Sequence, residues 1–299
     1  MHNVKIHWQK KETGDTVVIA PPIPECVEPI PFPESWPNRP WIFAEMVASH
    51  NGVVAWKRKD ENDDPVLQIL GLDTNPKNPD RIADKFFMRV LRTPGGVAFG
   101  RQTVGQQPEL IGTPKEAGKD EEPELQDGYA ALYRYREDRG LSRHPQNIIY
   151  SPSGRLDKEL SRHPIFNTPG LEAIVITTKA GATLLKAAGA AEKGVRVIAE
   201  GETDLDAAAL VRCHERLFRD FGMRYLVCEG GETVLQSLHS AGILDEVFVT
   251  VTNVRVDEAA HEGIKRIIDF EREGGDLIAE GKTSPESSWV FRRHRFNTR

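Results

Sequence analysis

The chain has 299 residues, of which 39% are hydrophobic, enough to bury a core without disulfide support. Its 39 basic and 45 acidic side chains give a formal charge of −6, and neither sign forms a block, so no nucleic-acid partner is expected. No apolar run approaches the roughly 20 residues that span a bilayer, and residues 1–20 lack the apolar region of a signal peptide. We therefore expect a cytoplasmic protein with no membrane partner. Cys26, Cys213 and Cys228 are too far apart for a CxxC site, and no metal site is expected.

A proline-rich arm is predicted at residues 1–38, ahead of one domain at residues 39–299. Eight of the twenty residues from Pro21 to Pro40 are proline, which removes backbone donors and favours extended chain over helix or central strand. Such an arm can strap across a partner subunit, cover a site, or follow the surface of its own domain. The sequence leaves these three roles open.

The first half of the domain is predicted to begin with a hairpin. Trp41 to Ala48 is an apolar, strand-like run, His50-Asn51-Gly52 is a turn signal, and Val53 to Trp56 is a short returning strand. Asn78-Pro79 then predicts the start of a helix. The apolar residues on one face of that helix are Ile82, Phe86, Val90 and Leu91.

Beyond this helix, strands and helices alternate. A buried strand at 97–100 is followed by a long loop insertion at 106–128, which is rich in glycine, proline and acidic residues. The later predicted elements are helix 129–139, strands 148–150 and 173–177, helix 182–188, strand 195–198, a helix from Asp204 or Asp206 to Gly222, strand 225–228, helix 233–240 and strand 247–252. This order predicts an α/β fold whose sheet is largely parallel and covered on both faces.

The segment from Tyr225 to Thr233 carries the clearest binding signal, because a buried strand runs through Glu229-Gly230-Gly231 into a helix. Backbone N–H groups at a helix N-terminus lack intrahelical partners and attract anions, and glycines let a diphosphate approach them. The alternative is that the strand only needs a tight turn before the helix. A Rossmann GxGxxG pattern is absent, so an ordinary Rossmann site is not expected.

Several segments together resemble the reductases of riboflavin biosynthesis, a branch of the dihydrofolate-reductase-like superfamily. Leu226 to Gly231, a short helix and then Ala241 to Val247 resemble the family's "EGG, helix, AGLVDEL" signature, and Ser49-His50-Asn51-Gly52 resembles its "SLDG" turn. Leu91-Arg92 with Phe99 to Val104, Ser151 to Asp157 and Ile176-Thr177-Thr178 resemble three further motifs. The resemblance implies a dihydrofolate-reductase-like three-layer α/β/α fold, an NADPH-dependent oxidoreductase and a homodimer, with strand 247–252 and the arm as candidate contacts.

The matched positions imply a set of cofactor-binding residues. Gly230 and Gly231 would hold the NADPH diphosphate, and Thr233 would assist from the first helical turn. The other implied cofactor residues are Gly100, Thr103, Ser151, Thr177 and Thr178. Lys179 or Arg155 would meet a 2′-phosphate, or would be solvated surface charges. Glu229 would touch the substrate, or would cap the turn.

The substrate end departs from the family pattern. The family's opening strand usually carries a lysine where this chain has Glu45, and the "SLDG" aspartate is here Asn51. The family's "TVxxDNPxL" has become a stretch that is one residue shorter and lacks the aspartate, Thr103 to Leu110. Glu45 lies in an apolar strand, where burial would raise its pKa and suit it to act as a general acid; the alternative is an outward-facing or salt-bridged residue. Glu45 and Asn51 are the candidate catalytic residues.

Two functions follow from these features. The first is hydride transfer from NADPH to a small molecule, either a pyrimidine, pterin-like, imine or carbonyl compound or the phosphoribosylaminouracil precursor of riboflavin. The second is a nucleotide-binding regulatory protein that senses NADPH and has lost catalysis. NADPH titration with a panel of substrates separates the two.

Overall fold

A computed structural model describes residues 6–10, 16–19, 34–60, 63–71, 78–106, 126–156 and 164–297. Most of the predicted arm and of the 106–128 loop therefore lies outside the described residues. Of the loop, Gln106 ends one helix and residues 126–128 begin the next. The division of the chain into an arm and one domain stays a prediction.

The described part contains thirteen strands. Their bounds are β1 Ile6–Lys10, β2 Thr16–Ile19, β3 Trp41–Ala48, β4 Val53–Ala55, β5 Gly96–Gly100, β6 Asn147–Tyr150, β7 Ala173–Thr177, β8 Arg196–Ala199, β9 Tyr225–Cys228, β10 Glu246–Val251, β11 Lys265–Arg266, β12 Gly275–Lys282 and β13 Val290–Phe296. Eleven of them form one sheet in the order β2-β1-β12-β13-β10-β3-β9-β5-β6-β7-β8. The strands from β10 to β8 pair in parallel, whereas β13, β12, β1 and β2 add antiparallel strands beyond β10.

Helices cover both faces of the sheet. Their bounds are α1 Pro65–Ile69, α2 Pro79–Arg92, α3 Arg101–Gln106, α4 Gln126–Asp138, α5 Pro164–Asn167, α6 Lys179–Ala187, α7 Ala207–Phe221 and α8 Glu232–Ser240. One apolar cluster joins α2, α4 and α6 to one face, and a second joins α7 and α8 to the other. The predicted three-layer α/β fold with a largely parallel sheet is confirmed.

The caps of the two long helices follow from single residues. The Asn78 side chain accepts a hydrogen bond from Asp80 N at 2.9 Å, and Pro79 occupies the first turn, so α2 begins where the sequence predicts. Asp206 caps α7 through Ala209 N at 2.7 Å, and Gly222 ends α7 in the left-handed region with φ 65°.

The start of α2 is also fixed to the end of the chain. The Asp80 carboxylate accepts hydrogen bonds from the hydroxyls of Thr283 and Ser287, the second at 2.7 Å. Both hydroxyls belong to the connection between β12 and β13. The N-terminal turn of α2 is therefore tied to the C-terminal hairpin.

The predicted hairpin of β3 and β4 is wrong in its pairing. The Ser49 N–H donates to Val53 O at 2.9 Å, but β4 then pairs with β11 in a separate two-stranded sheet. The reason is the burial of Val53 and Trp56, which pack with Ile69 and Val256 in a third apolar cluster that contacts the central sheet through Val47 of β3.

Strand β10 lies inside the sheet, between β3 and β13. Its backbone hydrogen-bonding edges are both used within the chain, and a contact between subunits at this strand stays a prediction. The antiparallel strand β13, which the sequence reading did not predict, occupies the edge that would have been free.

Candidate functional site

The parallel strands bring their carboxyl ends to one edge of the sheet, and a crevice forms where the connections change face. From β3 and β5 the chain continues to helices on the α2 side, whereas β9, which lies between them, continues to α8 on the opposite side. Open α/β sheets bind ligands outside the carboxyl ends of their strands at such switch points. The ends of β5 and β9 therefore define the candidate site.

Gly100 and Gly230 meet at this switch point. A Cβ atom on Gly230 would lie 2.9 Å from Gly100 N and 2.9 Å from Phe99 Cα, so a larger residue would clash with the backbone of β5. Gly231 has φ 67° and ψ 129°, a combination open essentially to glycine. Both glycines thus serve the turn itself, and they leave the first turn of α8 without side chains over its backbone.

The first turn of α8 also carries a carboxylate. Glu232 lies at its start, where its charge opposes the binding of an anion. Lys265 Nζ binds this carboxylate at 3.2 Å, and Gln236 Nε2 donates to it at 3.0 Å. These contacts offset the charge. Thr233 is exposed beside it, and Gly231 is exposed as well.

Ser151 directly follows β6, the neighbour of β5, and its hydroxyl is the clearest sign of a ligand at this edge. The residue is 1% exposed, and its Oγ has no hydrogen-bond partner among the described residues. Buried hydroxyls are nearly always hydrogen-bonded, because an unpaired one costs about 1–3 kcal/mol. A bound group that accepts or donates here would remove that cost.

Thr177 and Thr178, by contrast, are satisfied within the chain. Their hydroxyls donate to Pro152 O at 3.2 and 2.9 Å, and Thr178 Oγ1 accepts from Gly181 N at 3.0 Å as the cap of α6. These bonds clamp the loop after β6 to α6. The structure therefore gives both threonines a role in holding the loop that carries Ser151.

The remaining predicted cofactor positions lie at the same edge. Thr103 lies in α3, the helix that begins directly after Gly100, and its side chain lies outside the described residues. Lys179 is exposed and forms an ion pair with Glu202, whereas Arg155 is exposed in the loop after β6. Neither position distinguishes a phosphate contact from a surface charge.

Glu45 points to the α2 side of the sheet and is partly buried. Burial, followed by the nearby carboxylates of Asp84 and Glu229, raises the pKa of Glu45 well above its ordinary value, and Arg92 and Arg89 oppose the rise. The predicted upward shift is therefore present. Among the described residues, its carboxyl accepts no side-chain or backbone hydrogen bond and forms no ion pair, which leaves it open to a ligand.

Glu229 is bound by an arginine that the sequence reading missed. Two guanidinium nitrogens of Arg92, at the end of α2, contact the two carboxylate oxygens of Glu229. Arg92 is fully buried, and the Glu229 carboxylate is 6% exposed. Such a bidentate pair fixes the start of the Gly-Gly turn against α2. Glu229 therefore links the Gly-Gly turn to α2.

A role for Asp84 was not predicted from the sequence either. It lies on α2 with 8% exposure and accepts a hydrogen bond from the Thr250 hydroxyl on β10. Burial raises the pKa of Asp84 to about 6, against the Thr250 bond and the charge of Arg81, which lower it. Asp84 stands three residues before buried Phe87, on the inward face of α2.

Asn51 is engaged by the loop after β10. Its Nδ2 donates to Val256 O and Glu258 Oε1, each at 3.0 Å, and its Oδ1 accepts from Val256 N and the Ser49 hydroxyl, each at 3.0 Å. Asn51 therefore holds this loop at the carboxyl end of β3. Both the nitrogen and the oxygen of its amide are hydrogen-bonded within the chain, which favours a structural over a catalytic role.

Within the described residues, no group of three or more histidine, cysteine, aspartate or glutamate side chains is arranged to hold a metal ion. Likewise, no helix of the described part is long and apolar enough to cross a membrane.

Comparison with known structures finds the same fold at low sequence identity. RibD of Acinetobacter baumannii matches with TM-score 0.54 and 14% identity, over 87% of this chain and 58% of that one. A pyrimidine reductase-like protein of Corynebacterium diphtheriae matches with TM-score 0.54 and 17% identity, over 86% and 92% of the two chains. The Saccharomyces cerevisiae riboflavin biosynthesis reductase Rib7 matches with TM-score 0.51 and 13% identity, over 88% and 92%.

These likenesses confirm the fold of the riboflavin-biosynthesis reductases that the sequence resembles, and this chain spans little more than half of the Acinetobacter protein. No sequence among the curated proteins compared with it matches significantly. The model of the RibD C-terminal domain family, however, matches residues 40–256, from the start of β3 to the loop after β10. The chain therefore belongs to the RibD C-terminal domain family.

Proposed function

We propose that this protein is an NADPH-dependent reductase that reduces a small pyrimidine, pterin-like, imine or carbonyl compound. The phosphoribosylaminouracil precursor of riboflavin is one candidate of that class. The observation that carries the proposal is the buried, unpartnered hydroxyl of Ser151 beside the Gly100–Gly230 contact. A nucleotide lying along the ends of β6, β5 and β9 would satisfy that hydroxyl.

The residues of this edge fit the cofactor. Strands lie about 4.8 Å apart, so Ser151 and Gly230, which are separated by β5, are about 10 Å apart across the sheet. A dinucleotide spans such a distance, with its diphosphate at the first turn of α8 and its adenosine half toward β6 and β7. Gly231 and Thr233 would meet the diphosphate, and Gly100 and Thr103 would border the nicotinamide end.

The chemistry divides between cofactor and chain. NADPH supplies the hydride when bound. The chain binds and orients both ligands, keeps water from the crevice and provides a proton at the Glu45 carboxyl, the open acid of the substrate side. Arg92, bound to Glu229, fixes the boundary between the two halves.

The test is a titration of the full chain with NADPH and NADH, followed by NADPH oxidation with a panel of imine, carbonyl and pyrimidine compounds. We expect NADPH to bind more tightly than NADH and to be oxidised with at least one class. Ser151→Ala should weaken NADPH binding about tenfold, because it deletes one buried hydrogen bond. Ser153→Ala, in the same loop but exposed, is the matched control.

Two results would argue otherwise. Binding without oxidation across the whole panel would support a regulatory protein that senses NADPH, and binding of neither nucleotide would defeat both functions. A homodimer, implied by the family resemblance, remains a proposal that light scattering tests. Its contacts would have to lie away from the hydrogen-bonding edges of β10.

A further inference from the structure

A second carboxyl lies behind Glu45 at the substrate side of the crevice. Asp84 belongs to the inward face of α2, together with Ala83, Phe87 and Leu91, all of them buried. A carboxyl in such a position is unfavourable unless it is hydrogen-bonded or holds a proton. Asp84 accepts the hydroxyl of Thr250, and both residues are almost fully buried.

Asp84 on α2 and Glu45 on β3 both lie next to β10. Glu45 on β3 is registered with Phe248 on β10, whose ring packs edge-on against Phe43 and, at 5.5 Å, against Phe87. Phe87 follows Asp84 by one helical turn, and Thr250 follows Phe248 by two residues on the same face of the sheet. The two carboxyls therefore lie on the same side of the sheet beside β10, one on the helix and one on β3.

Both signs of charge face the pair. Glu229, directly after β9, and Arg81, Arg89 and Arg92 from α2 are the nearby charges, and Arg293 from β13 lies 5.1 Å from the centre of the Phe248 ring. Arg92 directs two nitrogens to Glu229 and is thereby committed to a third carboxylate.

Two close, buried carboxyls do not both ionise readily, and their protons titrate as a property of the pair. Of the two, Glu45 is the more exposed, so it is the outer carboxyl and Asp84 is the inner one.

We propose that Glu45 and Asp84 share one proton, and that Asp84 is a positioning residue that keeps Glu45 able to bind and protonate a substrate nitrogen. The substrate would present a basic nitrogen, as in an imine or an amidine-like ring edge, and not an anionic phosphate, at this position. On transfer, the proton leaves the pair and joins the nitrogen, so that the cation faces carboxylates. The identity of the site as a substrate site rests on the proposed function.

The probe is benzamidine, a planar cation, with benzamide as its neutral isostere. Calorimetry on the full chain near neutral pH should show benzamidine binding at least about tenfold more tightly than benzamide, with release of about one proton as the shared proton is displaced. Proton release is read from the dependence of the binding heat on the ionisation enthalpy of the buffer. Asp84→Asn should lose that release and weaken benzamidine about tenfold or more.

Asp80→Asn is the matched control, because Asp80 lies one turn earlier on α2 and binds Thr283 and Ser287 instead. It should leave benzamidine binding unchanged. If Asp84→Asn does not fold, Thr250→Val serves: it removes the bond that favours ionised Asp84, so the pH at which benzamidine binds half-maximally should rise.

Three results would overturn the proposal: equal binding of benzamide and benzamidine, absence of proton release, or unchanged benzamidine binding in Asp84→Asn. Displacement of benzamidine by ribose 5-phosphate at a concentration below that of benzamidine would overturn it as well. Failure of NADPH to bind, with the benzamidine results intact, would overturn the proposed reductase function and leave the carboxyl pair standing. The two failures are therefore distinguishable.

Discussion

Two buried arginine–carboxylate pairs lie at opposite edges of the sheet, and they differ in their surroundings. At the amino edge, Asp245 accepts hydrogen bonds from Arg39 at 2.7 and 2.8 Å, from Ile42 N at 2.7 Å and from Trp36 Nε1 at 2.9 Å. At the carboxyl edge, Arg92 binds Glu229 with Glu45 and Asp84 nearby.

The two edges differ in how completely their buried polar groups are hydrogen-bonded. The Asp245 carboxylate is saturated by four bonds, so its pair joins the arm-side residues to β3 and β10 and has no capacity left for a ligand. At the carboxyl edge, by contrast, the buried Ser151 hydroxyl has no hydrogen-bond partner among the described residues. Unsatisfied polar groups in a buried site are expected where a ligand completes the network.

The largest effect should come from breaking the saturated pair. Arg39→Leu leaves Asp245 charged and buried, and we expect a loss of about 3–5 kcal/mol in the free energy of unfolding. Denaturant unfolding measures it. Arg216→Leu, which removes an exposed pair with Asp220 at 3.1 Å, should change the stability by less than about 1 kcal/mol. Equal losses in the two variants would remove the distinction between a buried, saturated pair and an exposed one.

The next effect should come from the glycine turn at the carboxyl edge. Gly231→Ala forces φ 67° and ψ 129° on a residue with a Cβ atom, and we expect a loss of about 2–3 kcal/mol together with weaker NADPH binding. Gly222→Ala, at φ 65° and ψ 16° with open space around an added Cβ, should lose about 1 kcal/mol and leave NADPH binding unchanged. An intact NADPH affinity in Gly231→Ala would show that the turn is remote from the cofactor.

A pH-dependent effect should distinguish the carboxyl edge from the amino edge. Burial raises the pKa of Asp84 from its ordinary value of 3.8 to about 6, so protonated Asp84 is favoured in the folded state. The folded chain then binds more protons than the unfolded one between these values, and stability falls as the pH rises through about 6.

Asp84→Asn removes this loss, and we expect it to raise the stability at pH 8 by about 1–3 kcal/mol and to change it little at pH 4. Unfolding curves at both pH values measure the difference. The double variant with Glu45→Gln should gain less than the sum of the single variants, because either substitution relieves the same repulsion. Destabilisation by Asp84→Asn of equal size at both pH values would contradict the raised pKa.

The smallest effect should come from Ser151. Ser151→Ala removes a buried hydroxyl that lacks a partner, so without NADPH we expect the stability to stay equal or to rise by up to about 1 kcal/mol, although NADPH binding weakens. Thermal unfolding with and without NADPH shows both effects. A clear loss of stability in the free protein would mean that the hydroxyl already has a partner.

The sequence predicts the elements whose pattern is local. The caps of α2 and α7, the strand at 41–48 and the turn at Gly230-Gly231 each follow from neighbouring residues, and the structure places them as expected. Strands β12, β13 and β1 were not predicted, because their partners lie far away in the chain: β1 pairs with β12, more than 250 residues later.

The candidate site shows the same limit. Ser151, Gly100 and Gly230 were predicted from motifs at strand ends, whereas no role was predicted for Asp84 or Arg92, since a charge on an amphipathic helix usually faces solvent. Their burial depends on how α2 lies over β3, β9 and β10, which spacing alone does not determine. The contacts of Asn51 could not be predicted from the sequence either, because its loop partners, Val256 and Glu258, are about 200 residues distant. Its catalytic role stays a prediction.

The hydroxyl contacts of Asp80 give α2 a remote reporter. The helix that carries Asp84 and Arg92 is tied at its first turn to Thr283 and Ser287, in the connection between the last two strands. A ligand that orders α2 should therefore slow amide hydrogen exchange in residues 283–287 as well, although these residues lie outside the crevice. Substrate candidates could then be screened by mass spectrometry on peptides from the C-terminal hairpin, before any reaction is known.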